Sequence, residues 1–129
     1  MGNRYRRKEV LEALRTMLLG VCDTVYTSSR ETVTTTKDKF IIIKLPQGIT
    51  PVSKIHNTAY VQLHLFAKDV ANGVESVNKQ ESLTDGVCAL IPFNTELMSC
   101  NDIPLVLESK SDGMGYHYII MQFRIVIKV

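Results

Sequence analysis

The side chains best suited to chemistry in this chain are three histidines and three carboxylates. The histidines, His56, His64 and His117, lie far apart in the sequence, and the carboxylates lie in or beside one polar segment: Glu96, Asp102 and Glu108. Imidazoles act as general bases or metal ligands, and carboxylates act as acids, bases or ligands. A structural zinc site needs ligands at short fixed spacings, and neither Cys-x-x-Cys nor His-Glu-x-x-His occurs. The Gly-Met-Gly stretch at 113–115 precedes a predicted strand, which is the wrong context for phosphate binding. The sequence therefore predicts no cofactor, no metal and no enzymatic activity.

One catalytic alternative involves His64 and His117, which both lie on predicted strands. If these strands pair, the two imidazoles could converge near Glu108 in a cleft, as an active site requires. Histidines that occupy partly exposed sheet positions explain the same pattern more simply. An enzyme with a site around His64 and His117 is therefore kept as the lesser alternative.

Length, composition and charge narrow the class of protein. The chain has 129 residues, 45% of them hydrophobic, and a net charge of +2. These values are typical of a single globular domain, predicted over residues 1–129 with a flexible basic arm at 1–7. The small charge excess argues against a dedicated or sequence-specific nucleic-acid binder. No stretch approaches the roughly 18 apolar residues of a membrane span, so no membrane partner is expected.

The cysteines and the N-terminus bear on the cellular compartment. Three cysteines are an odd number without paired spacing, which indicates reduced thiols rather than a disulfide framework: Cys22, Cys88 and Cys100. Cys22 and Cys88 lie in apolar stretches, where a thiol acts as a small hydrophobe. Charged residues at 9, 12 and 15 interrupt what would be the apolar part of a signal sequence. We expect a bacterial cytoplasmic protein, or a virion protein if the gene belongs to a prophage.

The elements that must position these side chains follow from hydrophobic periodicity. Apolar residues recur every three or four positions over 8–21, which predicts a helix with Gly20 as its stop signal. Strands are predicted near 24–27, 32–36 and 40–45, with a turn at 28–30 and a loop over 47–57. Period-two alternation predicts a long strand from Ala59 to Ala67, ended by turn residues at 69–73.

The second half is predicted to contain a helix over 75–91, ended by Pro92, although Gly86 weakens it by about 1 kcal/mol relative to alanine. A polar loop over 93–103 follows, then a strand over 105–110 and a turn at 111–113. This turn makes the last two strands a hairpin. The predicted fold class is α+β: a mostly antiparallel β-sheet, with an N-terminal helix and a second helix packed on one face, closing with a β-hairpin.

The closing strand is long and alternates over its whole length. From Tyr116 to Val129 it spans about 45 Å at about 3.3 Å per residue, whereas a compact domain of this length has a diameter of about 36 Å. Its odd positions are apolar apart from His117, and its even positions also carry apolar groups. A long edge strand of this kind is an aggregation liability unless another chain covers it. The even face is therefore the predicted oligomer interface: Tyr116, Tyr118, Ile120, Gln122, Arg124 and Val126.

Three stretches, in this order, carry a resemblance to a known family: RRKEVLEALRTMLLGV at the N-terminus, AYVQLHLFAKDVANGVESVNKQESLTDGVCALIP in the middle, and GYHYIIMQFRIVIKV at the end. The order of elements resembles that of the tail-completion or tail-terminator proteins of long-tailed phages and prophages, and of related head-tail connector components. The polar, weakly anchored segment 69–78 departs from that pattern and could shorten the following helix.

The resemblance implies a structural, non-catalytic protein. Such subunits close into a homo-oligomeric ring, usually hexameric, that caps the tail tube or joins it to the head. The expected partners are copies of the chain itself and a phage tail-tube or connector protein. The basic start is a candidate arm for an acidic partner surface: Arg4, Arg6, Arg7 and Lys8. The principal alternative is a soluble α+β module that holds a small apolar ligand in a cup between sheet and helices.

Overall fold

The computed structural model describes residues 5–27, 37–71 and 73–129. Within these ranges the chain forms two helices, α1 (Arg7–Leu18) and α2 (Val77–Cys88). The strands of one sheet are β1 (Val25–Tyr26), β2 (Lys39–Lys44), β3 (Ile49–Pro51), β4 (His56–Lys68), β5 (Phe93–Asn94), β6 (Met98–Cys100), β7 (Leu105–Val106), β8 (Lys110–Ser111) and β9 (Tyr116–Lys128). The predicted α+β class is confirmed.

Two long antiparallel strands form the centre of the sheet. β4 and β9 have 13 residues each and pair along their whole length, with His56 opposite Lys128 and Lys68 opposite Tyr116. The main order is β1-β2-β4-β9-β6-β5; β3 also pairs with β4, and β7 and β8 also pair with β9. Among the described pairs only β1–β2 is parallel.

The two faces of the sheet differ in what covers them. Both helices pack on the face formed by odd-numbered residues of β4 and β9, where the main core includes Leu63, Leu65, Phe123 and Ile125. Even-numbered residues form the opposite face, which neither helix of the described ranges covers and which we call the helix-free face. One end of that face carries a smaller aromatic cluster: Phe40, Phe66, Tyr116, Tyr26 and Tyr118.

Helix α1 follows the predicted periodicity. Its buried side chains recur at steps of one, three and four: Val10, Leu11, Leu14 and Leu18. The helix begins one residue before the predicted start and ends three residues before the predicted end. Residues 19–21 continue as turns, with Val21 N–H donating to the Leu18 carbonyl at 2.8 Å. Gly20 lies just beyond the helix, as a stop signal should.

Helix α2 is shorter than the predicted 75–91. It begins after Ser76, whose hydroxyl accepts the Lys79 N–H at 3.4 Å, and it ends at Cys88. Gln80, Leu83 and Val87 are its buried residues, whereas Val77 in its first turn is 52% exposed. The predicted helix extended to residue 91 because residues 90 and 91 are apolar. In the structure these residues pack on the core from the segment that follows the helix.

Two predicted loops contain short strands. The predicted loop 47–57 includes β3 and the first residues of β4, and the predicted polar loop 93–103 includes the β5–β6 hairpin. The predicted strand 105–110 is interrupted and forms β7 and β8 instead. Strands of two or three residues are too short to show alternation, so pairing partners define them rather than local pattern. The predicted turn 28–30 and strand 32–36 lie outside the described residues.

The closing strand is central, and the prediction of a long edge strand was wrong. On one side β9 pairs with β4 throughout, and on the other it pairs successively with β8, β7 and β6. Between β7 and β6 the Arg124 N–H donates to the Asp102 carboxylate at 2.8 Å, which replaces a strand-to-strand hydrogen bond. Of the covering strands, β7 and β8 arise from the predicted strand 105–110, whereas β6 comes from the polar segment 93–103 that was predicted to be a loop.

Gly86 is required by packing, which gives a first prediction. A Cβ at this position would lie 2.6 Å from Val21 Cγ1, closer than real Cβ contacts. We expect Gly86→Ala to destabilise the protein by about 1 kcal/mol, because overpacking outweighs the gain in helix propensity. Urea unfolding followed by circular dichroism measures the change. In a Val21→Ala background the same substitution should be neutral or stabilising; a stabilising effect in the wild-type background would contradict the packing explanation.

Candidate assembly surface

The predicted interface residues share the helix-free face but differ in accessibility. Tyr116 is 1% exposed, and its hydroxyl donates to the Lys37 carbonyl, so this side chain is not available to another copy. Arg124 is exposed, and the remaining four are partly buried: Tyr118, Ile120, Gln122 and Val126. Gln122 Oε1 accepts a hydrogen bond from Gln62 Nε2 at 2.9 Å across the β4–β9 pair. The face therefore offers a mixed rather than an apolar surface.

His64 and His117 do not converge. In the β4–β9 register His64 lies opposite Ile120, and His117 lies opposite Ala67. Because successive side chains of a strand point to opposite faces, His64 lies on the helix-free face and His117 on the helix-covered face. Glu108 lies between β7 and β8, exposed at the edge of the sheet. The catalytic arrangement proposed from the sequence is therefore not formed by these groups.

His117 instead pairs with a carboxylate that the sequence did not single out. Its Nδ1 lies 2.7 Å from Asp69 Oδ1, and the two side chains are only 14% and 5% exposed. Asp69 directly follows β4, and its N–H donates to the Gly115 carbonyl at 2.9 Å, which fixes it beside the start of β9. The pairing register of β4 and β9 would have located this pair, but residue spacing alone could not.

His64 is the second titratable group with an unusual environment. Its ring stacks on Tyr118 with centroids 5.9 Å apart, and its buried Nε2 has no hydrogen-bond partner within the described chain. Burial lowers the pKa of His64 from 6.5 to about 4, with a smaller contribution from the Lys44 charge. The imidazole is therefore neutral at pH 7, and its protonation is opposed by folding.

This shift predicts a pH dependence of stability. Between the unfolded pKa of 6.5 and the folded pKa of about 4, the unfolded chain binds more protons at His64. We therefore expect the contribution of His64 to stability to fall as pH drops through this window, by about 2 kcal/mol after allowance for its partial exposure. Urea unfolding at pH 7 and pH 4.5 measures it. His64→Phe, which keeps the ring stack, should remove this part of the loss; an equal loss in that variant would contradict the assignment.

The cysteines are free thiols in different environments. Cys22 and Cys100 are buried, and burial raises the pKa of each thiol. Cys88, which the sequence placed in an apolar environment, is exposed at the end of α2. Buried thiols with raised pKa values are poor nucleophiles, so Cys22 and Cys100 serve as small core residues.

The basic N-terminal residues are only partly free. The Arg6 guanidinium donates to Glu9 Oε2 at 2.6 Å and to the Lys128 carbonyl at 3.0 Å, so it attaches the start of α1 to the end of β9. Arg7 and Lys8 are exposed in the first turn of α1. Arg4 lies outside the described residues. The role of these side chains as a partner-binding arm stays a prediction.

An exposed apolar segment lies at the edge of the sheet, where the sequence had placed only part of a strand. Residues 103–107 have the sequence Ile-Pro-Leu-Val-Leu. Ile103 is 89% exposed, and the exposures of Leu105, Val106 and Leu107 are 55%, 49% and 40%. Exposed apolar groups are common singly, but a consecutive run of them marks an interaction site. We call residues 103–107 the apolar edge.

The backbone of the apolar edge is also available for pairing. Leu105 lies opposite Gln122 and Val106 opposite Met121, and the Leu107 N–H donates to the Ile120 carbonyl at 2.9 Å. In an antiparallel ladder the residue next to a hydrogen-bonded position directs its own N–H and C=O away from the partner strand. The N–H and C=O of Val106 therefore point outward. Among the strands of the described ranges, β7 pairs only with β9.

The apolar edge continues into the sheet. On the helix-free face Leu107 lies beside Ile120, Ile120 lies opposite His64, and His64 lies opposite Ile42. A row of mainly apolar side chains thus runs from the buried interior of β2 to the exposed edge. A strand added at β7 would extend both the hydrogen-bonded ladder and this row.

None of the helices in the described ranges is long and apolar enough to cross a membrane. No protein-family model matches the chain, and no curated protein matches it.

Proposed function

We propose that this protein is a non-catalytic structural subunit that assembles with copies of itself. The observation that carries the proposal is the apolar edge, where exposed aliphatic side chains coincide with outward-pointing backbone groups at Val106. Natural sheets normally protect such an edge with charges, proline or a covering element. Pro104 lies within the segment, but its neighbours 105–107 form a ladder with β9.

The proposed assembly is a ring of phage or prophage tail-completion type. The order of an N-terminal helix, a sheet, a second helix and a closing hairpin resembles that family, and β8–β9 supplies the closing hairpin. Rings form from heterologous contacts that close, with one surface of each subunit against a different surface of the next. In this proposal the apolar edge is one of those two surfaces, and the partner of the finished ring is the tail tube or a connector protein.

Light scattering coupled to size-exclusion chromatography, followed by negative-stain electron microscopy, tests the proposal. We expect a species of fixed copy number at micromolar concentration that appears as a closed ring with a central opening. A monomer throughout the micromolar range would overturn self-assembly. A two-fold dimer would support the edge as an interface but overturn the ring and, with it, the tail-completion assignment.

The alternative function predicted from the sequence, a small-ligand cup between the sheet and the helices, is not supported by the space found there. There, the space bordered by Leu14, Leu63, Val87 and Phe123 has a free volume of about 10 Å³, too little for more than one water molecule. Drug-sized ligands need cavities of about 300–1,000 Å³. Within the described chain this interface is packed core.

A further inference from the structure

A polar pocket lies on the helix-free face, beside the start of the apolar edge. It has a volume of about 490 Å³ and is lined by Tyr60, Ser99, Asn101, Asp102, Arg124 and Val126. This volume falls in the range of small-molecule sites, about 300–1,000 Å³. β4 and β9 provide the floor through the cross-strand pair Tyr60–Arg124, and β6 with the residues after it provides one wall.

The pocket carries two opposite charges, the Arg124 guanidinium and the Asp102 carboxylate. Arg124 forms no ion pair with any residue in the ranges 5–27, 37–71 and 73–129. Asp102 is the acidic residue of the lining, but both of its oxygens are used by backbone groups. Oδ2 accepts the Arg124 N–H at 2.8 Å, and Oδ1 accepts the Ile103 N–H at 3.1 Å. These bonds hold Asp102 on the backbone and leave the Arg124 side chain available.

The other lining groups complement a small anion. The Tyr60 hydroxyl, the Ser99 hydroxyl and the Asn101 amide can donate hydrogen bonds, and Val126 with the Tyr60 ring supplies apolar area. A planar guanidinium matches the two oxygens of a carboxylate in a bidentate pair. We propose that this pocket binds a carboxylate, held by Arg124 and oriented by the hydroxyl and amide donors around it. This site is independent of the proposed assembly at the apolar edge.

Titration of ¹⁵N-labelled protein with glutarate, followed by NMR, tests the site. Glutaramide is the matched neutral probe, Arg124→Gln removes the guanidinium, and Lys110→Gln changes an exposed cationic residue on β8 as a control. We expect saturable shifts at residues 99–102 and 124 with glutarate but not with glutaramide. Arg124→Gln should weaken binding by about 10- to 100-fold, the range for a charge-assisted hydrogen bond, and Lys110→Gln should leave it unchanged.

A second titration identifies the source of the carboxylate. N-acetylglutamate amide and butyrate carry one carboxylate each, and the former presents it as a protein side chain does, so equal or tighter binding of N-acetylglutamate amide than of butyrate indicates an acidic side chain of another chain. Weaker binding indicates a free organic acid. The proposal is overturned if glutarate gives no saturable shift, if glutaramide shifts the same residues equally, or if Arg124→Gln binds as well as the wild type.

Discussion

Replacing Val106 with proline is expected to dissociate the assembled protein while the subunit stays folded. Proline removes the N–H that points away from β9, so the intrasubunit ladder at Leu105 and Leu107 keeps its hydrogen bonds. The ring of proline also blocks a strand approaching from outside. We expect the dissociation constant to rise at least about 100-fold, or about 3 kcal/mol, measured by light scattering across a dilution series.

Matched variants distinguish a specific loss of pairing at the apolar edge from a general destabilisation of the subunit. Leu105→Glu should also weaken assembly, because it places a charge on the apolar edge without removing a backbone donor. Val52→Lys changes a side chain that is 64% exposed in the turn between β3 and β4, and it should leave assembly unchanged. Unfolding curves that match the wild type would show that each subunit is intact. Retention of the oligomer by Val106→Pro would exclude strand pairing at this edge.

Removing the His117 imidazole is expected to give a large loss of stability. His117→Ala leaves the Asp69 carboxylate, 5% exposed, without the partner 2.7 Å away. Leaving a buried acceptor without its hydrogen-bond donor typically costs about 1–3 kcal/mol, and more where the acceptor is charged, so we expect about 3 kcal/mol. Urea unfolding at pH 7 measures the loss.

The reciprocal variant provides the control. Asp69→Asn keeps an oxygen that can accept from Nδ1 and carries no charge to be stranded, so its cost should be clearly smaller. His117→Ala combined with Asp69→Asn should recover part of the single-variant loss, because the buried charge is gone. Equal destabilisation by His117→Ala and Asp69→Asn, with no recovery in the double variant, would show that the pair contributes only packing.

The long periodic elements were predictable because their pattern repeats over many residues. Alternation over 59–67 and 116–129 located β4 and β9, and the three- and four-residue steps of α1 located the first helix. The sequence also indicated that helices pack on one face of a mostly antiparallel sheet. The predictions were incomplete on the second side of β9, where only one strand, over 105–110, was expected. That side is covered by strands of two or three residues, which have no periodicity of their own.

The position of β9 in the sheet decides which surface is the candidate interface. The sequence placed β9 at an edge, so its even face became the predicted interface; the structure places β9 in the centre, and a consecutive run of exposed apolar groups lies on β7 and its flanks. The role of Gly86 was also invisible, because it depends on a close contact with Val21 across the fold rather than on helix propensity. The sequence predicts Asp69 only as a turn residue. Its contact with His117 could not be predicted because it depends on the β4–β9 register.

Hydrogen exchange at the Val106 amide tests the central claim most directly. This N–H points away from β9, so in an isolated subunit it has no hydrogen-bond partner within the described sheet. At concentrations where the oligomer forms, we predict slow exchange at Val106, and on dilution to monomers we predict exchange at the rate of an open amide. Fast exchange at Val106 in the fully assembled protein would contradict pairing between copies at the apolar edge.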